Sequence, residues 1–218
     1  MFIHVPTAWL SLLIFLSMGC SSIIGLIFKS PTSFTISRSL SPIGLIMSVI
    51  VLITGSIWGN LTWGTYWVWD ARLTSMLILT FIYLGHLFLL YSFEHFQKAD
   101  FAASILAIIG MVNLPIVKFS VDWWASLHQP SSVKILSETT IHSSMLTPLL
   151  LNDCGICTIL NINFLMKYNI ELIKIKTKGL DRLWLTINNE CYGLFVWSAF
   201  VFTLINFFTL YIINQSNN

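Results

Sequence analysis

Long apolar runs separated by polar stretches dominate the pattern along the chain. A helix that crosses a membrane needs about 20 mostly apolar residues. The runs that meet this requirement are Ala8–Phe28, Pro42–Trp58, Leu73–Phe93, Phe101–Phe119, Leu146–Met166 and Tyr192–Ile213. The pattern therefore predicts an all-α fold, a polytopic membrane helix bundle with about six transmembrane helices.

The polar stretches between these runs are predicted to be loops. Lys29–Ser41 and Gln97–Asp100 are the short ones, and longer connections flank the fifth run, which Asn152, Asp153, Asn161 and Asn163 interrupt. No internal repeat or linker is visible. We therefore expect residues 1–218 to form a single integral membrane domain.

Composition excludes an ordinary water-soluble domain. Hydrophobic residues make up 56% of the chain and charged residues 9%, against about 25% charged in a typical soluble protein. Mean hydropathy is +0.81. A net charge of +2 is too small to indicate nucleic-acid binding. The cysteine pattern does not indicate a secreted disulfide framework, and we expect no removable signal peptide.

Lysine and arginine predict which side each loop faces, because short loops rich in them stay on the side of synthesis. One face carries Lys29, Arg38, Lys98, Lys167, Lys174, Lys176, Lys178 and Arg182, and the other carries Arg72, Lys118 and Lys134. The loop around Gly59–Arg72 is then predicted to face away from the side of synthesis. Since two crossings separate His4 from that loop, and two more separate it from His128, all three should share one side.

The densest feature of the chain is an aromatic cluster at the exit of the second run. Its members are Trp58, Trp63, Tyr66, Trp67 and Trp69. If the segment is helical from Trp63, then Trp63, Trp67, Asp70 and Thr74 form one stripe. An interfacial aromatic belt is one interpretation. An aromatic platform for a large planar ligand is the other, and the density of the cluster favours it.

The histidines differ in predicted depth. His4 and His128 lie at interface depth on the tryptophan side, each near another aromatic (Trp9 for His4, Trp123 and Trp124 for His128). Neutral imidazoles in that setting can ligate iron, although a lone histidine bonded to water is the ordinary alternative. His142 is a weaker candidate on the same side.

The other two histidines are predicted to have no part in such a site. His86 lies in mid-segment and is expected to be neutral and hydrogen-bonded inside the bundle. His95 lies on the opposite face, where we expect it to be solvated.

Asp70 and Arg72 stand at the entry to the third run. They are interpretable as a helix-start acid and a snorkelling arginine. Alternatively, Arg72 binds an anionic ligand group such as a carboxylate, and Asp70 orients an indole N–H or Arg72.

Two short motifs carry little weight. Cys154-Gly-Ile-Cys157 has no following histidine for covalent haem attachment and is predicted to hold buried inert thiols. Asn60-Leu61-Thr62 matches a glycosylation sequon that lies too near the bilayer for use. The sequence shows no phosphate-binding glycine loop, no catalytic Ser/His/Asp set and no zinc-ligand spacing.

Three sequence blocks resemble a known family. Trp63-Gly-Thr-Tyr-Trp-Val-Trp-Asp-Ala-Arg-Leu-Thr74 is similar to the WWD signature of haem-handling membrane proteins. Its ending resembles the haem exporter protein C (CcmC) family of cytochrome c maturation. The blocks Phe2-Ile-His-Val-Pro6 and Asn113–Pro130 agree with the same family, so the resemblance covers roughly residues 2–130.

The resemblance implies a function and a ligand set. It implies that His4 and His128 are the axial ligands of haem iron and that the WWD region, about 58–74, holds the haem. It further implies that haem is presented to haem chaperone E of the same pathway, and that ABC transporter subunits release the loaded chaperone. Members of this family bind and hand over a cofactor rather than act as enzymes.

The resemblance is incomplete at both ends of the chain. The family usually has a further spanning helix before the first histidine block, and Tyr192–Ile213 lies beyond its usual end, within a divergent tail of about 167–218. The richness in Phe, Ile and Asn is typical of an organelle-encoded protein. We therefore expect the mitochondrial inner membrane, with the WWD loop facing the intermembrane space; the alternative is a bacterial inner membrane with a periplasmic loop.

These observations converge on one hypothesis. Haem b would be bound non-covalently and transiently at the outer face, between the outer loop of about 120–145 and the WWD region. The residues expected at this site are His4, His128, Trp63, Tyr66, Trp67, Trp69, Asp70, Arg72, Trp123 and Trp124. The alternatives are a cytochrome b-like electron-transfer subunit with haem buried in mid-membrane, and an assembly scaffold without haem whose tryptophans only anchor it.

Overall fold

The structure, a computed structural model, contains helices joined by short non-helical segments in the part of the chain that it describes. It describes residues 2–93, 95–124, 127–128 and 142–177. The helices are α1 (His4–Phe28), α2 (Pro31–Trp63), α3 (Ala71–Ser92), α4 (Phe96–Met111), α5 (Asn113–Trp123) and α6 (Ser143–Thr177). The predicted all-α class is confirmed.

Five helical stretches are long and apolar enough to cross a membrane. They are His4–Phe28, Pro31–Trp63, Ala71–Ser92, Phe96–Trp123 and Ser144–Ile175. They correspond to the first five predicted runs, so the polytopic membrane bundle is also confirmed. The sixth predicted run, Tyr192–Ile213, lies outside the described residues.

The contacts divide the chain into two compact units, residues 1–142 and 143–218. In the first unit α1 packs on α2 and α4, and α3 packs on α2, α4 and α5. Phe15, Met18, Leu79 and Tyr83 are completely buried at its centre. The Tyr83 hydroxyl donates to the Ser11 carbonyl across 2.9 Å, which ties α3 to α1.

Two stretches predicted to be loops are helical, and that prediction is wrong. Residues 31–41 form the start of α2, and Gln97–Asp100 form the start of α4. The reason is that their polar groups satisfy one another. Arg38 pairs with Asp100 between the two helices, and its guanidinium lies 4.5 Å from the centre of the Phe96 ring. Paired charges can be buried where single ones cannot.

The fourth predicted run is interrupted. The helix breaks at Val112, whose N–H bonds to the Ile109 carbonyl at 3.2 Å, and α5 restarts at Asn113. Pro115 lies in the first turn of α5, where its missing N–H is tolerated. The Asn113 amide donates to the Ser75 carbonyl of α3 across 2.8 Å, which fixes the entry of α5 towards the site described below.

The second unit is described through α6. Its asparagines do not interrupt the helix, because their amides bond back to carbonyls four residues earlier: Asn161 to Cys157 at 3.0 Å and Asn163 to Ile159 at 2.8 Å. Cys157 is buried, Cys154 is half-buried, and neither forms a disulfide. The thiols therefore resemble the predicted inert pair, with Cys154 more open than expected.

Candidate haem site at the α2–α3 corner

The aromatic cluster lies on a sharp corner between α2 and α3 rather than on one helix. Gly64 adopts a φ of +74° and ends α2, and residues 67–70 are not helical. The Asp70 side chain accepts from the N–H of Arg72 and caps α3. The predicted helical stripe from Trp63 to Thr74 is therefore wrong, because a left-handed glycine and an N-cap residue interrupt it.

Asp70 is the buried acceptor of this corner, with 7% of its surface exposed. One carboxylate oxygen accepts from Arg72 N at 2.9 Å. The other accepts from Leu127 N at 3.1 Å and lies 3.3 Å from Nδ1 of His128. The described bonds of Asp70 include Leu127 and His128, partners that the sequence did not indicate. Asp70 thus joins the start of α3 to residues 127–128.

His128 lies against the tryptophan that ends α2. Its ring centre is 4.8 Å from that of Trp63, edge on, and Trp63 in turn meets Trp58 at 5.5 Å. Burial lowers the pKa of His128 below 6.5, and the bond and charge of Asp70 offset part of that change. The imidazole is therefore neutral at pH 7, the state in which it can ligate a metal.

His4 reaches the same corner from the first turn of α1. Its Nδ1 lies 2.9 Å from Oγ1 of Thr54, near the C-terminal end of the apolar run of α2. A side chain at Gly55 would meet the His4 ring at 3.1 Å. The absence of a side chain at Gly55 therefore lets the imidazole lie directly on the α2 backbone.

The two imidazoles lie on one stretch of α2. Gly55 is next to His4, and Gly59, one turn later, is next to Trp63, which contacts His128. Two histidines far apart in the chain thus approach the same C-terminal part of α2, His4 at Gly55 and His128 through Trp63.

Trp67 and Trp69 form a separate pair on the corner. Their ring centres are 5.6 Å apart, with Trp69 77% exposed and Tyr66 also exposed. The indole nitrogen of Trp67 is buried and has no hydrogen-bond partner among the residues that the structure describes. This donor is available to a carboxylate or carbonyl of a ligand.

The remaining predicted residues lie at the rim. Trp123 stacks on Phe119 at 5.6 Å and meets Trp124 at 5.8 Å, and all three rings are exposed. Arg72 is half-buried and points one guanidinium nitrogen towards the Lys118 carbonyl at 3.5 Å. These groups border the corner from the α5 side.

Thr54 and Gly55 are the residues that sequence analysis missed. A threonine in an apolar helix normally bonds to its own backbone, and nothing in its neighbourhood singles it out. The available signal was the pair Gly55 and Gly59, one turn apart, since small residues at that spacing permit close approach of another segment.

His86 has a different environment, deep in the bundle. Its Nδ1 lies 3.0 Å from the Ser41 hydroxyl and its Nε2 lies 3.4 Å from that of Ser37; Ser37 also bonds to Ser22 at 3.0 Å. The prediction of a hydrogen-bonded interior histidine is confirmed. His95 is exposed just before α4, and His142 is exposed before α6.

Comparison with known proteins identifies the family. The family described as Heme exporter protein C matches residues 1–183. A ccmC-like mitochondrial protein of cytochrome c biosynthesis from Marchantia polymorpha is 47% identical over 166 residues, covering 76% of this chain and 70% of that protein. Heme exporter protein C of Bradyrhizobium diazoefficiens is 39% identical over 183 residues, covering 84% and 70%. That of Escherichia coli strain K12 is 43% identical over 148 residues, covering 68% and 59%. The chain belongs to the Heme exporter protein C family.

Proposed function

We propose that this protein binds haem at the α2–α3 corner for the biogenesis of c-type cytochromes, with His4 and His128 as axial ligands. The observation that carries the proposal is the approach of two imidazoles to the C-terminal part of α2, His4 at Gly55 and His128 at Trp63. Family membership supports the haem assignment, and the cytochrome c biosynthesis named in the Marchantia relative supports the pathway.

The composition of the corner suits haem iron better than a bare metal ion. No group of three or more His, Cys, Asp or Glu side chains that could hold a metal occurs in the part of the chain that the structure describes. The macrocycle of haem supplies four nitrogens, so the protein needs to add only axial ligands. Indole faces bind the apolar macrocycle by dispersion, and Trp67 Nε1 and Arg72 are donors for propionates.

We infer that the haem is of the b type, held without a covalent bond and only transiently. The corner carries no cysteine, so the residues that would hold haem are reversible ligands. Trp69, Trp123 and Trp124 are exposed, which leaves the site open to a partner. This protein would therefore deliver haem to haem chaperone E, and ABC transporter subunits would release the loaded chaperone, without catalysis by this chain.

The proposed location is the mitochondrial inner membrane, with the corner facing the intermembrane space. The Marchantia and Arabidopsis relatives are named as mitochondrial proteins, and the lysine and arginine asymmetry supports the orientation. In a bacterial inner membrane the same asymmetry would place the corner in the periplasm.

The two alternative functions fit less well. An electron-transfer subunit would place paired histidines within the hydrocarbon, whereas His86 uses both ring nitrogens on serine hydroxyls. A scaffold would use its tryptophans only as anchors and would not need imidazoles bonded to Thr54 and Asp70.

Visible spectroscopy of the purified protein tests the proposal. We expect a Soret band in the wild type that His4→Ala and His128→Ala each remove, while His95→Ala, at an exposed histidine just before α4, serves as the matched control. Trp63→Leu and Trp67→Leu should lower chaperone loading without loss of membrane insertion. A scaffold would show no Soret band, and full haem content in both alanine variants would refute the ligand assignment.

A further inference from the structure

The hydroxyl of Thr54 faces one ring nitrogen of His4, and the His4 ring also bonds to the backbone of Val51. A hydroxyl has one hydrogen, and that of Thr54 is directed to the Ile50 carbonyl at 2.7 Å. Towards His4 Nδ1, at 2.9 Å, the Thr54 oxygen then offers only a lone pair. A second carbonyl, that of Val51, lies 3.3 Å from the same hydroxyl. With the Thr54 hydrogen on a carbonyl of its own helix, as is usual for threonine, Nδ1 is the donor and the lone pair of neutral His4 lies on Nε2.

Asp70 imposes the same tautomer on His128 by a different route. An ionised carboxylate only accepts hydrogen bonds, and Asp70 already accepts from two backbone N–H groups. Nδ1 of His128, 3.3 Å away, is therefore protonated as well. In neutral His128 the lone pair again lies on Nε2.

We propose that Thr54 and Asp70 are the positioning residues of the haem site, each fixing one histidine so that Nε2 is its ligand atom. The inference rests on the proposed function, because it assigns roles behind His4 and His128. Metal-ligating histidines commonly donate their second N–H to a carboxylate, a carbonyl or a similar acceptor, which fixes tautomer and orientation.

Thr54 is neutral and Asp70 is charged, so His4 and His128 should differ in how strongly they donate electrons to the metal. A carboxylate behind an imidazole makes it a stronger electron donor to the metal, and a neutral hydroxyl does so less. Loss of the Asp70 charge should therefore raise the reduction potential of the bound haem. Loss of the Thr54 hydroxyl should lower haem affinity and leave the potential nearly unchanged.

Conservative variants separate positioning from folding. Thr54→Val keeps the shape and removes the acceptor, and Thr54→Ser restores it. Asp70→Asn keeps a good N-cap for α3 and removes the charge. Thr35→Val is the matched control, since Thr35 makes the same bond to a carbonyl four residues earlier, 2.9 Å to Pro31 O, at the far end of α2.

Haem titration and redox titration of these four variants test the proposal. We expect Thr54→Val to weaken haem binding about 10-fold with a weakened low-spin spectrum, Thr54→Ser to recover the wild-type values, and Thr35→Val to match the wild type. Asp70→Asn should raise the reduction potential. Wild-type affinity and spectrum in Thr54→Val, together with an unchanged potential in Asp70→Asn, would overturn the inference.

The histidine variants distinguish this failure from failure of the proposed function. If His4→Ala and His128→Ala lose the bis-histidine spectrum while Thr54→Val and Asp70→Asn retain every wild-type property, only the positioning roles are wrong. If the histidine variants themselves retain the wild-type spectrum, the proposed function is wrong and the positioning roles fall with it.

Discussion

The bundle holds histidines in two contrasting settings, the α2–α3 corner and the interior around His86. At the corner, Nδ1 of His4 faces the Thr54 hydroxyl and Nδ1 of His128 faces the Asp70 carboxylate, and His128 lies beside Trp63. In the interior, His86 meets a serine hydroxyl at each ring nitrogen. The two settings therefore differ in the chemistry of the hydrogen-bond partners: a threonine hydroxyl and a carboxylate at the corner, and two serine hydroxyls in the interior.

Glycines show the same contrast between the two settings. Gly44 lies directly under Tyr83, whose ring is completely buried and whose hydroxyl is bonded to Ser11. Gly55 lies under the His4 ring with a looser contact of 3.1 Å. Close approach of a side chain to the α2 backbone thus stabilises packing in the interior and places an imidazole at the corner.

The largest expected difference between the settings is in haem binding. His4→Ala and His128→Ala should each weaken haem binding by at least about 100-fold, since loss of a residue that only hydrogen-bonds to a ligand already costs about 10–100-fold. His86→Ala should retain haem and destabilise the bundle by about 1–3 kcal/mol, because it removes buried hydrogen bonds. Haem titration and detergent unfolding measure both. Loss of haem in His86→Ala at full stability would reverse the assignment of the two settings.

The next largest effect on stability is expected for the ion pair between the N-terminal parts of α2 and α4. Asp100→Asn leaves the Arg38 charge without its carboxylate and should destabilise the protein by about 2 kcal/mol. That is below the roughly 3–5 kcal/mol of a deep pair, because the Asp100 side chain retains 14% exposure. Haem affinity should stay at the wild-type value. A double variant, Arg38→Met with Asp100→Leu, should recover much of the stability, and failure to recover would show that the loss does not come from the unpaired charge alone.

Substitutions at Gly44 and Gly55 should have smaller effects, but the two should affect different properties, stability and haem affinity. Gly44→Ala forces a methyl group against the buried Tyr83 ring and should cost about 1–2 kcal/mol of stability by overpacking, without change in haem affinity per folded molecule. Gly55→Ala should do the opposite, shifting the His4 ring and lowering haem affinity several-fold with little loss of stability. Equal effects of the two variants on both measurements would erase the distinction.

The smallest predicted effect is a pH dependence at His128. Burial lowers the pKa of His128 below 6.5, and Asp70 offsets part of this. Protonation blocks ligation, so haem affinity should be constant near pH 7 and fall only below pH 6.5. Asp70→Asn should move that fall to a still lower pH, since it removes the contact that raises the pKa. Haem titrations across pH measure this, and a fall beginning above pH 6.5 would contradict the burial of His128.

Protonation of His128 should also change the stability of the protein, because the proton binds at different pH in the folded and unfolded states. The unfolded chain takes up the His128 proton near pH 6.5, while the folded protein takes it up only at lower pH. Stability without haem should therefore decline as pH falls through that window. His128→Ala should lose this part of the decline, which urea or thermal unfolding in detergent can detect.

Much of the architecture was predictable because membrane helices need long apolar runs. The predicted runs at Ala8–Phe28 and Leu73–Phe93 differ from the helices by a few residues. The start of α2 was not predictable, because Arg38 and the serines around it become compatible with a buried helix only when Asp100 and His86 are present. Pattern along the chain does not reveal such pairings.

The candidate site was predictable in its residues but not in its connections. Trp63, Asp70, His4 and His128 were identifiable from the motif and the histidine blocks. The corner at Gly64, the bond from Asp70 to His128 and the role of Thr54 depend on tertiary contacts between residues distant in sequence. Only the three-dimensional structure reveals these contacts.

Ligand-specific spectroscopy of the purified haem complex tests the central claim most directly. Wild-type protein should show the signature of two histidines on one low-spin iron in magnetic circular dichroism. His4→Met alone and His128→Met alone should each convert it to a histidine–methionine signature, while His86→Met leaves it unchanged. Retention of the bis-histidine signature in either of the first two variants would show that His4 and His128 do not share the iron.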